Sequence, residues 1–377
     1  MHILFISYAE ISLNKGDVRS TAMLLALSEA GYRVDVLAPA VDLPPHAKIR
    51  LLTRPRRNGM HISRMHLQMA AIRALTRTPY QAIHAMDEAA FFALRLCQWK
   101  KIPLVYDAKR CFSRWGTGAS QTETLFRQIF PRPFRKLEKN LLDRAQAIIS
   151  SSTRLTQELK AFQTSAPVIQ IEDIPVQSIL SCSEQGEAQP LWSNKTLGTR
   201  IVFSVASPPE VGLREIVLSA RKVLDAEPES HFLFLGVDTV QTRKIAARLD
   251  MESQCIFLPT NDASTLSLAL SQADGVCFIP RKGARYIHPQ IYTLLHSGVP
   301  LLLLQNKTYS PLLDAGMATG LLADPEEMAQ ALLSVLREPL FFRPLALAGQ
   351  QLMAKQHTCS SFKHQVRMVY RGINKGV

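Results

Sequence analysis

The chain has 377 residues, of which 47% are hydrophobic and 20% charged, with six scattered cysteines and a formal net charge of +13. That length exceeds one ordinary core and predicts two domains, and the composition excludes a disordered chain. No apolar run approaches the ~20 residues of a spanning helix, and no C-x-x-C or zinc spacing occurs, so the cysteines read as free thiols of a reducing cytoplasm.

The opening "HILFISYA" is a continuous apolar run, as a parallel strand buried on both faces requires. It lacks a basic n-region, so no export signal is expected. "EISLNKGDVRS" is its loop, where Gly16 would let the backbone approach a ligand closely or would simply make a turn. "TAMLLALSEAGY" carries helical periodicity and ends at Gly31, and "RVDVLAP" is the next strand. "QAIHAM" and "IPLVYDA" are short strands. "FRKLEKNLLDRAQ" is an amphipathic helix leading into the strand "AIISSS". His84 and Asp87 follow one strand, and Lys109 and Arg110 follow the next. Strand ends are where α/β sheets hold ligands, although a lone strand-end histidine is more often structural.

A second strand–helix start appears at "RIVFSVAS-PPEVG-LREIVLSARKVLDAE", continuing through "HFLFLGV", "CIFLP", "GVCFIP" and "PLLLL". Each alternation needs a crossover, so both sheets should be mainly parallel. The expected organisation is a Rossmann-like domain over 1–180, a polar linker over 181–199, a second Rossmann-like domain over 200–355, and a crossover helix over 356–377 that returns to the first domain. Two doubly wound domains facing a cleft make the cleft the default site.

Within the second half, Arg281, Lys282 and Arg285 crowd one loop before a helix expected to begin near Pro289, with His288 beside them. A basic loop leading into a helix start suits an anion, and it equally suits solvated surface. No G-x-G-x-x-G, P-loop, G-x-S-x-G or H-E-x-x-H motif is present.

Charge is uneven. Residues 1–180 carry 25 Lys/Arg against 14 Asp/Glu, whereas 181–377 carry 19 against 17. Between Leu43 and Met86 there are eight basic residues and no acidic one. "TLFRQIFPRPFRK" adds Phe126, Ile129, Phe130 and Phe134 between cations, as an interfacial element would. An anionic membrane surface fits this field best; a solvated face stays open, and nucleic acid is disfavoured because few aromatics are available for stacking.

Three stretches together resemble glycosyltransferase family 4: "MHILFISY…TAMLLALSEAGYRVDVLAP", "PLVYDA…LEKNLLDRAQAIISSSTRLTQEL", and "ADGVCFIPRKG…LLHSGVPLLL" with "LLADPEEMAQALLSVLREP". The resemblance implies the α/β GT-B fold and a nucleotide-diphosphate sugar held by the second domain. It also implies an acceptor held by the first, and retaining transfer without a metal or other cofactor. The family's Glu-x7-Glu positions fall on Arg285 and Thr293, its Arg/Lys pair falls in "SVASPPEVG", which has no basic residue, and its histidine after "YDA" falls on Lys109. Two readings follow. In the first, His84, Asp87 and Lys109 are the catalytic residues on the acceptor side, while Arg281, Lys282, Arg285, His288, Thr293 and Gly16 hold the nucleotide sugar. The product is then a glycolipid or surface polysaccharide made at the cytoplasmic face of the membrane. In the second, the fold survives as a pseudoenzyme that binds a protein partner or a glycan.

Overall fold

A computed structural model describes residues 1–12, 18–43, 46–53, 63–114, 131–175, 198–206, 208–259 and 263–374. The chain forms two compact units, Met1–Asp173 with Cys359–Val377, and Ile174–Thr358. Of the expected linker, only residues 198 and 199 lie within the described residues.

In unit 1 the strands β1 (His2–Ile6), β2 (Arg33–Leu37), β3 (Ile49–Leu51), β4 (Ala82–Met86), β5 (Leu104–Ala108), β6 (Ala147–Ser150) and β7 (Val168–Gln170) form one sheet. Its order is β3-β2-β1-β4-β5-β6-β7, with every pairing parallel. The apolar runs seen in the sequence are these central strands, buried on both faces. The helices are α1 (Val18–Glu29), α2 (Arg64–Arg77), α3 (Ala89–Lys100), α4 (Pro131–Arg144) and α5 (Thr153–Lys160). Side chains start two of them: Ser63 Oγ accepts from His66 N, and Ser152 Oγ from Leu155 N.

Unit 2 repeats the design. Its strands are β8 (Arg200–Val205), β9 (His231–Leu235), β10 (Cys255–Leu258), β11 (Gly275–Ile279), β12 (Leu301–Leu304) and β13 (Thr319–Leu321), in the order β10-β9-β8-β11-β12-β13 and all parallel. The helices are α6 (Leu213–Ala226), α7 (Thr239–Arg248), α8 (Ala263–Leu270), α9 (Gln290–His296), α10 (Ser310–Asp314), α11 (Pro325–Arg337) and α12 (Pro339–Gln356). Alternate strand residues feed two cores. Phe203, Phe234 and Phe257 stack across one face beneath α6 and α11, and Val202, Leu233 and Phe278 line the other beneath α8 and α9. Gly298, at φ +72, ends α9; an added Cβ would meet Gln350 at 3.0 Å, so glycine serves both backbone and packing.

The last helix, α13 (Cys359–Asn374), belongs to unit 1 and packs on α1. That cover explains why α1 is buried nearly all round, Arg19, Ser20, Thr21 and Ser28 included. In both sheets the strand order reverses beside the first strand, between β1 and β4 and between β8 and β11. Such switch points leave a crevice at the strands' carboxyl ends, where ligands of open α/β sheets bind. Among the described residues no helix is long and apolar enough to cross a membrane. The five described cysteines carry no disulfide.

Candidate functional site

The switch point of unit 1 rests on a buried ion cluster. Arg19 Nε donates to Asp107 Oδ1 at 2.9 Å, and Arg19 Nη1 donates to Ile171 O at 2.9 Å and to Asp173 Oδ1 at 2.7 Å. Burial would raise the Asp107 carboxyl, but the Arg19 guanidinium and then His84 hold it below the usual carboxylate range. His84 Nε2 lies 3.7 Å from Asp107 Oδ2, its Nδ1 lies 2.7 Å from Tyr370 Oη on α13, and its ring stacks on Phe5.

This corrects the expectation for His84. The residue is wholly buried on the middle of the sheet, and its ring nitrogens face core partners, so it serves structure and not chemistry.

Above the cluster is a charged rim. Asp87 sits where β4 ends, in left-handed backbone at φ +47, with its N–H on Asp107 O. Such a conformation is uncommon for a residue with a Cβ and concentrates at functional sites. Asp87 Oδ2 is 2.6 Å from Arg110 Nη2, which also donates to Glu88 Oε1 at 3.1 Å. Arg64, from α2, pairs with Glu88 at 2.7 Å and lies over the ring of Tyr8, whose hydroxyl accepts from Gln68. Burial pushes the Asp87 carboxyl up to about 6, opposed by Arg110 and then Lys109. A carboxylate tuned near neutrality at a strand end is suited to hold or move a hydroxyl proton. Asp87, Lys109 and Arg110 therefore lie near one another at the ends of β4 and β5. Tyr8, Arg64, Gln68 and Glu88 are additions that sequence reasoning missed. Gly16 lies outside the described residues.

In unit 2 the loops after β8 and β11 are zipped together. Ala206 N donates to Ile279 O, Lys282 N to Pro208 O and Glu210 N to Pro280 O, each at 2.9 Å. Pro209 and Arg281 form an antiparallel bridge. The loop after β12 joins them, since Thr308 Oγ1 donates to Ala284 O at 2.7 Å and Asn306 Nδ2 to Glu210 Oε2 at 3.4 Å. Arg281 and Arg285 are half-buried and Lys282 is exposed on this fixed loop.

Two expectations need correction here. His288 brings no charge of its own to the loop at neutral pH in the ligand-free protein. Burial, then the Arg281 cation, lowers it to about 4, and its Nδ1 accepts from Gln290 N at 3.3 Å. Thr293 is 1% exposed on α9, whose residues are buried from Ile291 to Leu295, so its hydroxyl does not open toward a ligand. A further point concerns α9 itself: it has only seven residues, and the cations precede it on the zippered loop, so loop geometry and not a helix start organises them. Among the described residues no cluster of His, Cys, Asp or Glu could hold a metal ion.

These two sheets and their switch points define an α/β protein of the GT-B class. The whole chain superposes on sucrose-phosphate synthase from Thermosynechococcus elongatus with a TM-score of 0.71 at 15% identity, covering 100% of both chains. WaaG, a glycosyltransferase involved in lipopolysaccharide biosynthesis, gives 0.66 at 12% identity over 97% of this chain and 99% of its own. HepE from Anabaena, in complex with UDP-glucose, gives 0.66 at 13% over 98% and 99%. Residues 18–171 match the model for Glycosyltransferase Family 4. No curated protein matches the chain by sequence. The family match lies in unit 1, and the altered hallmark positions of the second half lie in unit 2.

Proposed function

We propose that the protein transfers a sugar from a nucleotide-diphosphate sugar to a glycolipid or surface-polysaccharide acceptor, with retention and without a metal. The observation that carries the reading is the Arg281–Arg285 loop. It concentrates three cations at the switch point of unit 2 and is held rigid by bonds to the β8 and β12 loops. A departing diphosphate develops negative charge, and fixed cations stabilise it without reorganising. The UDP-glucose complex of HepE, a protein of the same fold, supports a nucleotide-sugar ligand. On the acceptor side, Asp87 orients the attacking hydroxyl while Arg110 and Lys109 set its charge.

The membrane part of the reading finds support in unit 1. On the contacting helices α2, α3 and α4 the apolar Met65, Met69, Trp99 and Leu137 are exposed, as are the cationic Arg73, Arg77 and Arg95 and, just after α3, Lys101, and the Lys100 ammonium lies over the Trp99 ring. Mixed cationic and apolar helix faces bind anionic bilayers. A lipid-linked acceptor would be met there, at the cytoplasmic face. Phe126, Ile129 and Phe130 lie outside the described residues.

A second reading, a partner-binding or glycan-binding pseudoenzyme, is favoured by one observation. The β8 loop offers Glu210 and a buried Val211 where the resemblance implies cations. Titration with UDP-, GDP- and ADP-linked sugars, followed by transfer assays with lipid-linked acceptors, separates the two. Nucleotide binding with transfer supports the first reading, and absence of both leaves the second.

A further inference from the structure

Glu138, on α4, is fully buried, with 0% exposure, and takes no direct part in the rim of unit 1. A buried carboxyl group is costly unless donors satisfy it. Here its Oε1 accepts from Phe112 N at 2.7 Å and its Oε2 from Ser113 N at 2.8 Å, with Cys111 Sγ donating to Oε2 at 3.5 Å. Burial pushes the Cys111 thiol up to about 12, so it keeps its proton for that bond. Three consecutive residues of the turn after β5 hang on one side chain. That turn begins where Arg110 ends. The Arg110 guanidinium lies over the Phe112 ring, 5.2 Å from its centroid, and its Nη2 reaches Asp87 at 2.6 Å.

We propose that Glu138 is a positioning residue: by holding residues 111–113 it fixes Phe112 as a platform that keeps Arg110 on Asp87. The catalytic consequence rests on the reading that Asp87 serves the acceptor; the mechanical part does not. The charged and titratable groups facing Asp87 are Arg110, Lys109 and Tyr106 from β5 and its loop, and Glu88 from the start of α3, itself paired to Arg64. Burial already raises the Asp87 carboxyl, and Arg110 is the leading group opposing that rise. Loosening Arg110 therefore moves the Asp87 titration upward.

Glu138→Gln keeps the size and one acceptor oxygen, but turns an amide N–H2 toward the turn's own N–H groups. Carboxyl-carbon NMR of the full-length protein, with the Asp87 resonance assigned through Asp87→Asn, reads the effect directly. Glu138→Gln should raise the Asp87 midpoint by about half a pH unit or more. Cys111→Ala, which keeps both N–H bonds, should leave it in place. An unchanged midpoint in folded Glu138→Gln overturns the proposal, and so does an equal shift in Cys111→Ala. If Glu138→Gln does not fold, Ser113→Pro, which deletes one donor and leaves the carboxyl group, must give the same upward shift; no shift there overturns it as well. Where transfer is measured, the low-pH limb of kcat should move with the NMR midpoint while KM for the nucleotide sugar stays constant. Loss of the transfer reading would leave the NMR outcome standing, so the two failures are distinguishable.

Discussion

His84 Nδ1 lies 2.7 Å from Tyr370 Oη, although 286 residues separate them in the chain. Both side chains are fully buried, so this bond fastens α13 to the central strand β4, whose His84 also lies 3.7 Å from Asp107 of the ion cluster. With Nε2 directed at Asp107, the consistent assignment has the Tyr370 hydroxyl donating to Nδ1. Tyr370→Phe leaves a buried acceptor unsatisfied and should cost about 1–3 kcal/mol. Arg19→Met strands the buried Asp107 and should cost more, about 3–5 kcal/mol. Urea unfolding measures both, and hydrogen exchange in α13 should accelerate in Tyr370→Phe. Equal stability of the two variants with wild type would show the cluster to be energetically idle.

Asp87 predicts a pH dependence of known sign. Its native value of about 6 lies above the ordinary 3.8, so between these values the native state holds more protons than the unfolded chain. Stability relative to Asp87→Asn should therefore fall as pH rises through that window, by roughly 3 kcal/mol at about 1.4 kcal/mol per unit. Paired urea titrations at pH 4 and pH 7 give the difference. A constant gap between the two proteins counts against a desolvated Asp87.

His288 has the opposite consequence. Its native value of about 4 lies below the ordinary 6.5, so on acidification the unfolded chain takes up the proton first. Stability contributed by the neutral ring is present above pH 6.5 and lost as pH falls toward 4. His288→Asn, which keeps an acceptor for Gln290 N, should flatten that limb. An acid limb identical to wild type would place the loss elsewhere.

The parallel strands were legible because a strand buried on both faces must be apolar throughout, as "HILFI" and "GVCFI" are. The placement of Asp87, Lys109 and Arg110 just beyond strand ends was legible from the sequence. His84 was misread because a strand's last residues alternate between rim and core, and a sequence does not reveal that Phe5 and Tyr370 close over the ring. Tyr8 and Arg64 were missed because their relation is spatial: α2 delivers Arg64 to a rim formed 24 residues later by Glu88. Thr293 followed from a motif position, and the position alone cannot report that α9 is buried along its length. Glu138 looked like an ordinary charge on an amphipathic helix, since nothing local marks it as the acceptor for a turn 26 residues upstream.

The exposed cationic and apolar residues of α2, α3 and α4 predict sedimentation with anionic vesicles at low salt and release at high salt, because surface attraction is screened within about 10 Å at 0.1 M. Replacing Arg64 together with Arg54, Arg56 and Arg57, which lie outside the described residues, by Glu should abolish it, and so should Arg73→Glu with Arg77→Glu, both exposed on α2. Trp99→Ser should weaken binding at both salt concentrations, since its ring contributes apolar contact and is 54% exposed. Binding to neutral vesicles with equal strength would remove the electrostatic basis for the membrane reading.

The Arg281–Arg285 loop predicts a graded loss of nucleoside-diphosphate affinity. The zippered β8 and β11 loops fix its backbone, so removing one cation should delete a charged hydrogen bond without moving the others. Such a bond is worth about 1.5–3 kcal/mol, or roughly ten- to hundredfold in Kd. Arg281→Ala, Lys282→Ala and Arg285→Ala should each lose affinity on that scale, and the salt dependence of binding should weaken in each. Thr293→Ala is the contrast: with 1% exposure the residue should affect stability and leave affinity within about twofold. His288→Asn should likewise spare affinity at neutral pH, since the ring carries no charge there. Calorimetric titration of the wild type and these five variants at fixed salt reads all of it. If the wild type binds no nucleoside diphosphate at millimolar concentration, the three cations are solvated surface and the partner-binding reading replaces the enzyme. If it binds and only Thr293→Ala weakens it, the diphosphate sits against α9 and the loop is not its site.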